Sequence, residues 1–228
     1  MNLKEKLIEI CSNIKTAQER SGYDHPVEIV GVTKTHPFSY IEESYRVGLR
    51  SIGENRVQEA EEKFGTFEKM PKLRKRFIGH LQSNKVKRCL DIFDTIDSVD
   101  SLKTLRKISR YAINRNKEVS VLIEVNTSKE AQKNGFLLSQ KEDVAQCFLE
   151  DRVSVSGLMT IAPNTSDQDE IRQSFRALKE LRSWLIDNKN IKVSHLSMGM
   201  SGDYEIAVEE GSTMIRVGSL LYGSRNNG

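Results

Sequence analysis

The sequence of 228 residues is poor in several things, and each shortage narrows what the chain can be. It has three cysteines, Cys11, Cys89 and Cys147, widely spaced and odd in number. With no C-x-x-C pair among them, neither a disulfide scaffold nor a structural zinc site is expected, and free thiols suit a reducing compartment. The four histidines, His25, His36, His80 and His195, form no H-x-H or H-E-x-x-H pattern, so no metal site is expected. Neither sign of charge is in real excess: 35 basic against 32 acidic side chains leave a formal charge of +3. Nucleic acid is therefore not expected as a partner, because that needs a basic excess gathered on one face. The one basic cluster, Lys72, Arg74, Lys75 and Arg76 followed by Lys85, Lys87 and Arg88, reads as a solvated rim. Long apolar runs are missing too. The N-terminal "MNLKEKLIEICSNIKTAQERSG" holds no uninterrupted apolar core, and no stretch approaches bilayer-spanning length. We expect a cytoplasmic protein with no membrane partner.

What is present is a rhythm. Residues 2–20 place Leu3, Leu7, Ile10, Ile14 and Ala17 at helical spacing before Ser21-Gly22, which predicts an amphipathic helix. Short β-branched runs then alternate with longer amphipathic ones. The predicted strands are 28–33, 50–53, 76–79, 92–96, 119–125, 153–160, 193–197 and 213–217. The predicted helices are 38–48, 55–69, 82–89, 99–115, 139–149, 167–188 and 202–210. Eight strands with intervening helices predict a (β/α)8 TIM-type barrel, an α/β fold, over about residues 27–225. The competing open doubly wound sheet lacks a G-x-G-x-x-G after the first strand. No linker or composition shift marks a second domain, so residues 1–228 read as one. The final "LLYGSRNNG" leaves the eighth helix truncated or replaced by the N-terminal one.

In such a barrel, functional side chains sit where strands end at the C-terminal face. That rule selects Lys34, Glu54-Asn55, His80, Asn126, Met159-Thr160, Ser201 and the segment from Arg216 to Ser219. Lys34, partly desolvated at the mouth, would have a lowered pKa and act as a nucleophile for carbonyls, the chemistry of a Schiff base. The simpler alternative is an exposed loop lysine. Ser201, read as the cap of the seventh helix, and Gly218-Ser219 offer small residues and free amides suited to phosphate, although Gly and Ser mark plain turns as well. An amine and a phosphate site together suggest a phosphorylated aldehyde. That means either a sugar phosphate, as in lysine-dependent aldolases, or pyridoxal 5′-phosphate (PLP). Arg216 would face the pyridine nitrogen of PLP or, alternatively, form a structural ion pair at the rim.

The stretches "VGVTKTHP", "GENRVQE", "FIGHLQSNK", "VNTSKEAQKNG", "GLMTIAP", "LSMGMSGDYEIAVEEGSTMIRVGS" and "LYGSR" run in order over nearly the whole chain. Together they resemble the pyridoxal phosphate homeostasis protein family, single-domain PLP-binding barrels similar to the barrel domain of alanine racemase. The resemblance implies that Lys34 forms the Schiff base with PLP. It implies that Ser201, Gly218 and Ser219 hold the phosphate and that Arg216 faces the ring nitrogen. Asn55, Asn84 and Met159 match signature positions at the mouth, and Lys133 matches a lysine that offers PLP a second amine. His80 is a polar neighbour of the ligand or a structural histidine. The resemblance further implies a cofactor carrier with little turnover, since racemisation needs a second acid or base on the opposite face. A monomer is expected, with PLP-dependent apoenzymes as acceptors. A weak amino-acid racemase or lyase is the alternative.

Overall fold

A computed structural model describes residues 1–64, 70–128, 130 and 132–223. Its strands are β1 (Glu28–Val32), β2 (Ser51–Glu54), β3 (Arg74–Phe77), β4 (Thr95–Val99), β5 (Val119–Asn126), β6 (Phe136–Leu137), β7 (Val153–Met159), β8 (His195–Ser197) and β9 (Met214–Val217). Between and around them run α1 (Leu3–Ser21), α2 (Phe38–Arg46), α3 (Val57–Phe64), α4 (Val86–Ile92), α5 (Leu102–Asn114), α6 (Lys141–Cys147), α7 (Gln168–Lys189), α8 (Tyr204–Glu209) and α9 (Ser219–Tyr222). All pairings are parallel, in the order β4-β3-β2-β1-β9-β8-β7-β5-β6, and a β4–β5 pairing closes the ring. Eight strands thus form the expected barrel, with the two-residue β6 added beside the end of β5.

Alternation along the strands sorts side chains between the barrel interior and the helical shell. In β5, Val121, Ile123 and Val125 join the large outer core with Leu105, Ile108, Phe175 and Leu178. Leu122, in contrast, points inward to meet Val30, Met159 and Met214. α1 begins at Asn2, whose side chain and that of Glu5 bond each other's backbone N–H at 2.9 Å, a reciprocal cap. Its apolar stripe, Leu3, Ile10, Ile14 and Ala17, packs with Leu49, Val208, Ile215 and Leu221. The short α9 therefore has α1 beside it, and Lys6 Nζ donates to Leu221 O at 3.0 Å.

Two strands sit elsewhere than the sequence suggested. The fourth was expected at 92–96 but spans 95–99, because Ile92 ends α4 and Phe93 packs in the outer core. The polar pair Asp97-Ser98 belongs to that strand because Asp97 faces into the barrel, where Arg76 meets it at 3.1 Å. The third strand likewise starts earlier, at Arg74, and Arg76 is only 3% exposed. Its guanidinium donates to Ser51 Oγ at 2.8 Å, to both Asp97 oxygens and to both Glu28 oxygens at 2.9 and 3.0 Å. This part of the basic cluster is a buried ion network rather than a solvated rim. The expected helix end at 65–69 and the expected barrel end at 225 lie outside the described residues. Among the described residues, no helix is long and apolar enough to cross a membrane.

Candidate functional site

A cavity of about 330 Å³ opens at the C-terminal ends of β1 and β9 and in the loop after β8. Lys34, Ser201, Arg216, Gly218 and Ser219 all line it. Inward parity explains three of them. Glu28, Val30, Val32 and Lys34 alternate along β1 and its extension, and Met214, Arg216 and Gly218 along β9. Lys34 is half-buried at the cavity wall.

Arg216 is 5% exposed, and its terminal nitrogens are committed to neutral oxygens. Nη1 donates to Ser197 O at 2.9 Å and Ser197 Oγ at 2.7 Å, and Nη2 to Thr160 O at 2.7 Å. Burial pushes its pKa down, while Asp97, Glu124 and Asp203 pull it back up. It remains a cation. Three of its five N–H groups are thus used, and among the described residues none accepts from Nε or from the second N–H of Nη2.

Ser201 does not cap a helix as the sequence suggested. α8 starts three residues later, and Asp203 Oδ1 accepts from Met200 N–H at 2.5 Å. The Ser201 hydroxyl instead crosses to the loop after β9, accepting from the N–H of Gly218 at 3.2 Å and of Leu220 at 3.4 Å. Accepting leaves its own proton free to donate. Gly199, at φ +97°, makes this loop possible. A Cβ there would sit 2.6 Å from Ala207 Cβ and 2.9 Å from Tyr204 Cα, and the left-handed backbone favours glycine anyway. The N–H groups of Gly202 and Ser219 find no acceptor among the described residues, and a Cβ at Gly202 would meet open space. Hydroxyl, free amides, an unused guanidinium N–H and an amine around one cavity fit a phosphorylated aldehyde carrying an acceptor nitrogen.

Other expected residues lie outside this cavity. Met159 is buried in the packed layer with Val30, Leu122 and Met214. Asn55 lines a neighbouring cavity of about 310 Å³ with His80 and Lys85, and His80 Nδ1 pairs with Asp100 at 2.9 Å. Asn84 sits in the turn 83–85 before α4. Asn126 and Lys133 line a third cavity of about 200 Å³, which shares Ile161 with the first. Lys133 Nζ donates to Ala162 O at 2.6 Å and pairs with Glu130.

Glu124 escaped sequence analysis. It lines the third cavity, 8% exposed. Burial and then Asp100 push its pKa up to about 7, against Arg216 and His80, which lower it. A lone acid inside the apolar "VLIEV" was the available signal.

Comparison with known proteins identifies the lineage. Residues 6–226 match the family described as alanine racemase, N-terminal domain. A pyridoxal phosphate homeostasis protein of Aquifex aeolicus is 40% identical over 227 residues, 99% of each chain. The chain belongs to the pyridoxal phosphate homeostasis protein family. A solved structure of another protein, PipY of Synechococcus elongatus with PLP bound, is 32% identical with a TM-score of 0.85, covering 97% of this chain and 100% of that one. Alanine racemase of Clostridium difficile gives a TM-score of 0.76 at 17% identity, and this homeostasis-family chain spans 56% of it. At that identity the likeness shows the barrel alone.

Proposed function

We propose that this protein binds PLP as a Schiff base on Lys34 and carries it in the cytoplasm, with little or no turnover, for delivery to PLP-dependent apoenzymes. One observation carries the proposal: Lys34, Arg216 and the Ser201–Gly218–Ser219 cluster converge on a single cavity in a chain of this family. When bound, PLP supplies an aldehyde and an electron-accepting ring. Lys34 would hold the aldehyde carbon. Ser201 and the loop amides would hold the phosphate, and Ser219, which also lines the cavity, would add its hydroxyl. Arg216 would donate from Nε to the ring nitrogen and, being permanently protonated, keep that nitrogen free of a proton. Such a ring withdraws electrons weakly, which suits a carrier better than a catalyst. Met159 supports this site from beneath, and Asn55 flanks it. We take the working unit to be one chain, residues 1–228, acting as a monomer.

The test is spectroscopic. Purified protein incubated with PLP should show a visible Schiff-base band that borohydride abolishes, with the reduced adduct mapping to Lys34. A Lys34→Ala variant that traps the same amount of cofactor would refute the assignment. Loss of Cα-deuterium from any amino acid faster than with free PLP would replace the carrier by a racemase or lyase.

A further inference from the structure

Lys34 leaves the backbone between two threonines, and a single ionic cluster on the outside of β1 grips both. Thr33, fully buried, donates from Oγ1 to Glu54 Oε1 at 2.7 Å. Its carbonyl accepts from Lys63 Nζ of α3 at 2.8 Å. On the other flank, the Thr35 N–H donates to Glu59 Oε1 at 2.5 Å. Lys63 joins the two halves, donating to Glu54 Oε1 at 2.9 Å and to Glu59 Oε1 at 2.6 Å.

Packing alone does not call for this cluster. Val57 and Ala60 already supply the buried face of α3. The cluster puts two acids and a lysine in a largely dry place, where well-packed apolar side chains are commonly as stable. Glu54 Oε2 is buried and has no partner among the described residues. Thr35 is held at φ +68°, a left-handed conformation unfavourable for a β-branched residue. Strain of that kind persists where the surroundings impose it, and it gathers at functional sites. Burial raises the pKa of Glu59, but the bonds from Lys63 and the Thr35 amide outweigh it, so Glu59 stays a charged anchor.

We propose that Lys63, Glu54 and Glu59 are positioning residues that clamp both flanks of Lys34 and so fix the direction in which its amine enters the cavity. The proposal rests on Lys34 being the amine that holds PLP. Lys63, Glu54 and Glu59 do not line the cavity, so their influence runs through the backbone at Thr33 and Thr35.

The experiment follows PLP capture by stopped-flow absorbance, with circular dichroism of the bound chromophore and melting temperature measured alongside. Glu59→Ala frees the Thr35 amide and should slow capture on the order of tenfold or more while weakening the dichroic band. Glu59→Gln keeps an acceptor at the same reach and should restore both to within about twofold of wild type, because orientation and not charge is at issue. Thr35→Gly in the Glu59→Ala background should worsen capture further by loosening the loop, with little change in melting temperature. If Glu59→Ala and Lys63→Met lower the melting temperature but leave capture rate and dichroism unchanged, the cluster is merely structural and the proposal fails. Capture by Lys34→Ala as fast as by wild type would instead sink the assignment of Lys34, and the clamp with it.

Discussion

Replacing Arg76 by methionine keeps about the length of its apolar stem and removes the guanidinium charge from the bottom of the barrel. Asp97, 1% exposed, then loses two contacts at 3.1 and 3.2 Å. Only Thr95 Oγ1, at 2.8 Å, still donates to it within the network around Arg76. Glu28 is a lesser casualty, since its side chain is 29% exposed and can turn to water. Breaking a buried pair from one side costs about 3–5 kcal/mol, and the surviving Thr95 bond argues for the lower end, about 3 kcal/mol. At ~2–4 °C per kcal/mol for a chain of this size, the melting temperature should fall by roughly 6–12 °C. Adding Asp97→Leu removes the stranded carboxylate and should recover much of the loss. Urea denaturation followed by far-ultraviolet dichroism measures both. Acid supplies a second check. Burial raises the pKa of Glu28, but Arg76 and its neighbours lower it on balance. In the wild type that lowered pKa contributes stability above the unfolded value near 4.5, lost as pH falls through the folded value. Arg76→Met has no such contribution to lose, so its deficit should narrow in acid. A single variant within about 1 kcal/mol of wild type, or a double variant no better than the single, would refute this account of the network.

Other outcomes follow from the same geometry. A Cβ at Gly31 would lie 2.3 Å from Tyr222 Oη and 2.5 Å from Leu49 Cδ2, so Gly31→Ala must push those two packed side chains aside; it should cost about 1–3 kcal/mol and raise the dissociation constant for PLP, measured by calorimetry. Tyr222→Phe removes only the 2.8 Å bond to Ser44 and should cost about 1 kcal/mol with PLP binding nearly intact. Glu124, with its pKa raised from 4.5 to about 7, holds a proton in the folded state that the unfolded chain releases. Stability should therefore fall as pH rises between those values, by ~1.4 kcal/mol per unit, and Glu124→Gln should flatten that slope in a melting-temperature profile. An unchanged slope would mean that Glu124 is not the group responsible.

The barrel was legible because its strands are short apolar runs separated by helical periodicity, and Lys34 stood out as a charge where such a run ends. Ring closure turned that position into a shared one, since residues far apart in sequence reach a common mouth only when β4 meets β5. What the pattern hid was polar chemistry inside strands. Arg74-Lys75 broke the apolar signal at the start of the third strand and Asp97-Ser98 at the end of the fourth, although Asp97 pairs with Arg76 in the interior. Ser201 looked like a helix cap because Ser before Gly usually is one, and only the folded loop shows its hydroxyl turned to Gly218 and Leu220. Met159 is the opposite case, a signature residue whose place is packing rather than the cavity wall. Lys63 carried only the i,i+4 spacing to Glu59 as a sequence signal, because its other partners, Thr33 and Glu54, come from the ends of two strands.

Below the mouth the barrel interior is packed with side chains. Val30, Leu122, Met159 and Met214 fill one layer, and Arg76 with Glu28 and Asp97 occupies the end beneath. The protein is a cup with a solid base. If Lys34 holds PLP as proposed, the cofactor would leave by the mouth through which it entered, so loading and unloading would be sequential events at one doorway. A recipient of the kind proposed would then compete with incoming PLP for the same approach.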